Sequence, residues 1–250
     1  MRKKRYQFIE LEHVDSTNAH MRRLFEHKFE EGTILTAETQ SYGRGRNGKI
    51  WQSPPGGLYM TVLLKPVVFS GNLTILHQVC GIGVARGIEE VCPVEIKVKW
   101  PNDLLIQGKK IAGILIESII GSDKVEAVFV GIGVNVNLCK EDLPVRTIFP
   151  ASSLLLELDS FIDLNFLKHS IAKNLMNVYD HFLIEGFDRL LIEWNQRSML
   201  TGKNVHIQID DKRVFGKVEG ISGRGGLLIR LSDTEQIKEF INGEIIGIEG

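Results

Sequence analysis

The chain has 250 residues, enough for one large domain or a domain with a small module, and 43% of them are hydrophobic, so a sizeable core can be buried. The formal net charge of -1 excludes a global basic field of the kind that drives nucleic-acid binding, so any basic function must be local. Three cysteines, Cys80, Cys92 and Cys139, form no C-x-x-C pair, which argues against a disulfide framework or structural zinc and for a reducing, cytoplasmic setting.

The basic start, Met1 to Arg5, is followed by no signal-length apolar run. No later run approaches the ~18 residues of a membrane span, so no membrane association is expected. The Asn72-Leu73-Thr74 sequon reads as incidental. Gln7 to Val14 alternates apolar and polar residues and predicts a strand. Asp15-Ser16-Thr17-Asn18 then offers four consecutive N-cap candidates before a helix marked by Met21, Leu24, Phe25 and Phe29. Thr33 to Thr39 and Leu58 to Lys65 read as strands on either side of a glycine-rich basic loop. Asn72 to Val91 predicts a long buried helix, whose Gly81, Gly83 and Gly87 suit close packing on a sheet. From Glu95 to Asn137 an antiparallel meander is expected, with a hairpin turn at Gln107-Gly108-Lys109-Lys110.

Between Asp163 and Arg197 helical periodicity takes over, through Phe166, Leu167, Ile171, Leu175, Val178, Tyr179, Phe182, Leu190 and Trp194. Beyond Thr201 short strands recur at intervals of ~10 residues, which suits a small β-barrel. The expected fold class is α+β: a mixed, mainly antiparallel sheet with helices over residues 1–198, and a C-terminal barrel over residues 199–250.

The glycine loop is the densest signal. Gly43, Gly45 and Gly48 match G-x-G-x-x-G, but Trp51-Gln52-Ser53-Pro54-Pro55-Gly56-Gly57 breaks any helix that would complete a dinucleotide-binding turn. Arg44 and Arg46 supply planar donors suited to phosphate or carboxylate, Lys49 adds a point charge, and Trp51 offers an aromatic face. Lys99-Trp100-Pro101-Asn102-Asp103 places a lysine, an amide and a carboxylate at a strand end. Asn102 and Asp103 are oxygen donors of the kind found beside magnesium and phosphates, though an ordinary turn reads the same way. Lys109 and Lys110 stand at a strand edge, where either can point into a pocket or simply solvate the edge. Asn135 and Asn137 alternate within an apolar strand and must find partners or a ligand. Ser16, Thr17 and Asn18, with Gln40 from the next strand, can cap a helix or hold a polar head group. No P-loop, G-x-S-x-G or H-E-x-x-H is present.

The ordered set D-S-T-N (15–18), A-E-T-Q (37–40), G-R-G-R-N-G-K-I-W (43–51), K-W-P-N-D (99–103), K-I-A-G-I-L-I-E (110–117) and G-I-G-V-N-V-N (131–137) resembles the biotin–protein ligases. The resemblance implies a catalytic domain like that of class II aminoacyl-tRNA synthetases and an SH3-like C-terminal domain. It implies that biotin and ATP give biotinyl-5′-AMP, with Mg²⁺ as cofactor. The acyl group then passes to a lysine of a biotin carboxyl carrier domain, as in acetyl-CoA carboxylase. Carried over by motif, Ser16, Thr17, Asn18 and Gln40 would hold the biotin head group. Arg44, Gly45 and Arg46 would lie on a loop ordering over biotin and the adenylate, and Lys110 would meet the biotin carboxylate and phosphoryl oxygens. Trp51 would stack near adenine, while Asn102, Asp103 and Asn135 would position ATP, with Asp103 as a ligand of Mg²⁺. Lys110, Arg44 and Arg46 are thus the expected catalytic cations.

Some of the family carry an N-terminal winged helix-turn-helix. Here 14 residues precede D-S-T-N, so a monofunctional ligase without sequence-specific DNA binding is expected. The competing readings are a lipoate–protein ligase of the same fold and a non-catalytic RNA-binding module. The oligomeric state stays open, a homodimer being compatible.

Overall fold

A computed structural model of the chain describes residues 6–25, 29–66, 73–121, 124–145 and 149–249. The basic stretch at 1–5 and Asn72 lie outside them. In chain order the elements are β1 (Gln7–Val14), α1 (Thr17–Leu24), β2 (Thr33–Gln40), β3 (Leu58–Leu64), α2 (Thr74–Val91), β4 (Lys97–Lys99), β5 (Asp103–Ile106), β6 (Lys109–Ile120) and β7 (Val125–Val134). There follow α3 (Leu154–Leu158), α4 (Leu164–Glu185), α5 (Asp188–Arg197), β8 (Asn204–Ile209), β9 (Lys212–Ile221), β10 (Leu227–Leu231), β11 (Ile237–Phe240) and β12 (Glu244–Glu249).

The first sheet has seven strands in the order β1-β2-β3-β7-β6-β5-β4. Only β1 and β2 run parallel, joined across α1; every other pair is antiparallel. β1, at the edge, is exposed or half-buried except at Val14, whereas all seven residues of the central β3 are buried because both its faces are covered. Leu35, Leu63 and Phe129 point to one side and pack with Met21 of α1. Their neighbours Ile34, Val62, Leu64, Val128 and Val130 point to the other and join the main core with α2 and α4.

Gly83 and Gly87 of α2 face α4 rather than the sheet, contrary to the packing expected from sequence. A Cβ at Gly83 would fall 2.6 Å from the Leu175 Cα, and one at Gly87 2.5 Å from the Ile171 Cα. The glycines therefore serve a helix–helix backbone contact. The predicted long helical stretch is two helices, broken where Gly186 takes φ +78°. Asp163 caps α4 by accepting from the backbone N–H groups of Asn165 and Phe166. The short α3, not anticipated, is capped by Ser153.

The expected meander is present, with β7 as one strand. Its β5–β6 turn is the two-residue Gln107-Gly108, both at positive φ, as the right-handed strand twist favours. The C-terminal strands form a five-stranded antiparallel sheet, order β11-β10-β9-β8-β12. Its Val205, Ile207, Val218, Ile221, Leu227 and Ile229 share one hydrophobic cluster with Leu76, Trp100 and Trp194. The Trp100 indole N–H donates to the Gly225 carbonyl at 3.1 Å, and the Gln78 amide reaches the same oxygen at 3.4 Å.

Candidate active site

Glycines make the floor. Gly113 of β6 and Gly133 of β7 are directly opposed, and the Trp51 ring lies over both. A Cβ at Gly133 would stand 2.5 Å from Trp51 Nε1, and one at Gly113 2.9 Å from Cζ3, so a side chain at either position would displace the indole. Nε1 is buried and has no hydrogen-bond partner among the described residues. Gly131, two residues along the same face, makes room for the Asn18 amide, 2.5 Å from its virtual Cβ.

The start of α1 forms one wall. Ser16 occupies the N-cap position, but its hydroxyl caps nothing. Gln40 instead satisfies the helix start: its Oε1 accepts from the Thr17 backbone N–H at 2.8 Å and from the Thr17 hydroxyl at 3.2 Å. Its amide donates to Ser53 at 2.8 Å. Asn18 is buried; its oxygen accepts from Thr61 at 2.7 Å and its amide donates to Glu117 at 2.8 Å. The amide positions are thus fixed, while the Ser16 hydroxyl remains to turn toward a ligand.

The basic loop forms the roof. It is a tight hairpin: Arg44 and Ile50 bridge, Gly45 N–H donates to Lys49 O at 2.7 Å, and Trp51 N–H donates to Gly43 O at 2.9 Å. Asn47 and Gly48 turn the tip at positive φ, a conformation that favours Asn and Gly. Since β3 returns antiparallel to β2, no strand–helix–strand crossover follows, and the glycine spacing is not a dinucleotide turn. The hairpin touches the C-terminal sheet. Lys49 pairs with Glu244, and Arg46 reaches the Gly243 carbonyl at 3.4 Å. Burial draws the Arg46 guanidinium below its usual value, against the pull of Asp103 and Glu244.

Opposite lies a charge triad, with Lys99 and Asp103 buried and Lys110 half-buried. Asp103 of β5 stands between Lys99 of β4, at 2.6 Å from Oδ2, and Lys110 of β6, at 2.6 Å from Oδ1. A register shift between Leu104 and Leu105 sets Lys110 opposite Leu105 and so on the Asp103 face. Lys109 falls opposite Ile106, on the other face, and pairs with Glu157 at 2.9 Å. Burial pushes the Asp103 carboxyl up, but Lys99 and then Lys110 outweigh it and hold the group below the usual carboxylate range. Lys99 also sits 4.5 Å over the Phe149 ring and Lys110 5.2 Å over Trp51.

These walls enclose a cavity of about 550 Å³. Ser16, Thr17, Asn18, Gln40, Arg44, Gly45, Arg46, Trp51, Asn102, Asp103, Lys110 and Asn135 all line it. The Asn102 amide donates to the Ile114 carbonyl at 2.9 Å, and that of Asn135 to the Ser152 carbonyl at 2.9 Å. Asn137 points elsewhere and is a brace: its side chain both accepts from and donates to the backbone of Ile162. Both carboxylate oxygens of Asp103 are matched to ammonium groups, and the described residues hold no cluster of three metal-ligating side chains. A magnesium ion at Asp103 would have to compete with Lys99 and Lys110 for those oxygens.

Sequence reasoning left five contributors without a role. Lys99 was quoted in its motif only. Glu244 and Ile245 reach the cavity from the second sheet, too far along the chain for spacing to reveal. Gly131 and Gly133 could have been read, because residues two apart on a strand share a face.

Residues 10–135 match the biotin/lipoate A/B protein ligase family, and residues 200–246 the biotin protein ligase C-terminal domain. A bifunctional ligase/repressor BirA of Bacillus subtilis is 32% identical over 233 residues, covering 93% of this chain and 71% of its own. A biotin–[acetyl-CoA-carboxylase] ligase of Paracoccus denitrificans is 28% identical, covering 88% and 92%. Among solved structures, biotin protein ligase from Aquifex aeolicus in complex with biotin and ATP superposes with a TM-score of 0.83 at 32% identity, over 97% of this chain and 98% of that one.

Proposed function

The chain belongs to the biotin/lipoate A/B protein ligase family, and on that premise we propose how its cavity carries out the ligation of biotin. The protein is an adenylate-forming ligase that uses ATP to attach biotin to a lysine of a biotin carboxyl carrier protein. The observation that carries the reading is convergence: six motifs scattered from residue 15 to residue 137 line one cavity with cations gathered along its walls.

In the first half-reaction a biotin carboxylate oxygen attacks the α-phosphorus of ATP. The bond to the bridging oxygen breaks, and pyrophosphate leaves with its electron pair. Two anions must approach, so positive charge at the reacting oxygens lowers the barrier. Lys110 and Arg46 supply it, with Arg44 at the rim. Ser16, Thr17, Asn18 and Gln40 bind the polar head group of biotin. Trp51, Asn102 and Asn135 position the nucleotide. Magnesium is assigned to no residue here and would travel on the triphosphate. In the second half-reaction a neutral lysine amine of the carrier attacks the acyl carbon. AMP leaves, and the amine gives up a proton to form the amide. The roof hairpin shields the mixed anhydride from water. We assign the chemistry to residues 1–198 and a supporting role to residues 199–250, with acetyl-CoA carboxylase as the acceptor enzyme.

Biotin-dependent exchange between ATP and labelled pyrophosphate tests the reading directly. Wild-type protein should catalyse it, and Lys110→Ala should lower the rate at least about tenfold, the loss of a charge-assisted contact. Near-normal exchange by Lys110→Ala would remove the assigned role of that lysine. Exchange that depends on lipoate instead of biotin would replace the substrate.

A further inference from the structure

Lys99 is an unusual side chain for the interior: only 6% of it is exposed. Its ammonium faces the carboxylate of Asp103 at 2.6 Å and the ring of Phe149 at 4.5 Å. Across that carboxylate Lys110, at 28% exposed, is the member of the triad that reaches the open cavity. The three side chains come from three adjacent strands, which fixes their order: Lys99, Asp103, Lys110. Two ammonium groups on one carboxylate leave a net charge of +1. Take away Lys99 and the pair that remains is neutral, with Lys110 as the one ammonium still in contact with a buried carboxylate.

We propose that Lys99 is a positioning residue for the anionic substrate: it compensates Asp103 so that Lys110 is free to leave that carboxylate for the carboxylate of biotin. A buried carboxylate stripped of every partner is costly, so without Lys99 the ion pair would hold Lys110 back. With Lys99 in place, Lys110 exchanges one carboxylate for another while Asp103 stays paired. The inference deepens the biotin-ligase reading and rests on it.

Binding without ATP isolates the effect. Calorimetry compares biotin with biotinol, the neutral alcohol that keeps the head group and lacks the carboxylate. Wild-type protein that binds neither defeats the ligase reading itself, and this proposal with it. If wild type binds, Lys99→Met is expected to weaken biotin at least about tenfold while biotinol stays within about twofold. The double variant Lys99→Met/Asp103→Asn restores the +1 charge around Lys110 and should recover most of the biotin affinity. A Lys99→Met protein that binds biotin as wild type does overturns the proposal. So does one that loses both ligands together, or a double variant that binds biotin no better than the single one, because a merely structural lysine would give those results.

Discussion

His77 shows how the site's charge reaches a residue outside the cavity. It stands near the start of α2 and is buried; its Nδ1 meets no partner within hydrogen-bond geometry among the described residues. Burial, and then the positive field of Arg46, push the imidazole down to about 4, although the nearby Leu73 backbone pulls weakly the other way. A folded-state value below the unfolded one, about 6.5, means that the unfolded chain binds more protons between those limits. The contribution of His77 is then fully present above pH 6.5 and is lost as pH falls toward 4. The slope from this single group is at most about 1.4 kcal/mol per pH unit. Urea unfolding at pH 7 and pH 5 should show wild type losing more stability than His77→Gln over that interval. Equal losses would mean that His77 is neither buried nor repelled as described. Nothing in the sequence marked this histidine out, since its burial depends on how the chain folds back around it.

At the scale of the element, the informative contact joins the basic hairpin to β12. Lys49 is 61% exposed and Glu244 34%, so their ion pair is worth at most about 1 kcal/mol to folding. Its place matters more than its strength, because it ties the roof of the cavity to the second sheet. Glu244→Gln should leave the thermal midpoint nearly unchanged and raise the KM for ATP by up to about fivefold, the equivalent of that ~1 kcal/mol. High salt should bring wild type toward the variant, since an exposed pair is screened. A variant with a large loss of thermal stability, or with an unaltered KM at low salt, contradicts the latch. The contrast with the β5–β6 hairpin explains what was legible. Gln107-Gly108 and the flanking apolar runs are local, and the antiparallel meander could be read from them. The local pattern left Lys109 and Lys110 equivalent, because their difference turns on a register shift in the neighbouring strand, and only the motif singled out Lys110. The glycines of α2 were legible as a close contact, but not as a contact with α4, which lies about 90 residues further on. Motif order singled out twelve residues that line one cavity, while Glu244 needed the folded chain.

Across the whole molecule, the two sheets share one interior. Met199 N–H donates to the Val98 carbonyl at 3.0 Å, and Ser198 bridges Val98, so the chain enters the second sheet along the edge of the first. The turn between β9 and β10 then wedges against α2: a Cβ at Gly225 would lie 2.9 Å from the Ile75 Cα. The Gly225 carbonyl meanwhile takes the indole N–H of Trp100, which is fully buried one residue before Pro101 in the K-W-P-N-D motif. Removing the second sheet would open Ile75 and Trp100 to water, at about 2–3 kcal/mol each, and leave the indole donor without its partner. Against a typical domain stability of about 5–15 kcal/mol, that is a large fraction. The intact chain should therefore unfold in one calorimetric transition, with near-ultraviolet circular dichroism and tryptophan emission changing together. A chain ended at Ser198 should lose that cooperativity and bind a hydrophobic dye. Two well-separated transitions in the intact chain, or a cooperative and soluble fragment 1–198, would show that the sheets fold apart. In that event the contacts from Gly225 and Glu244 would be adjustments between neighbours rather than part of what holds the cavity in shape.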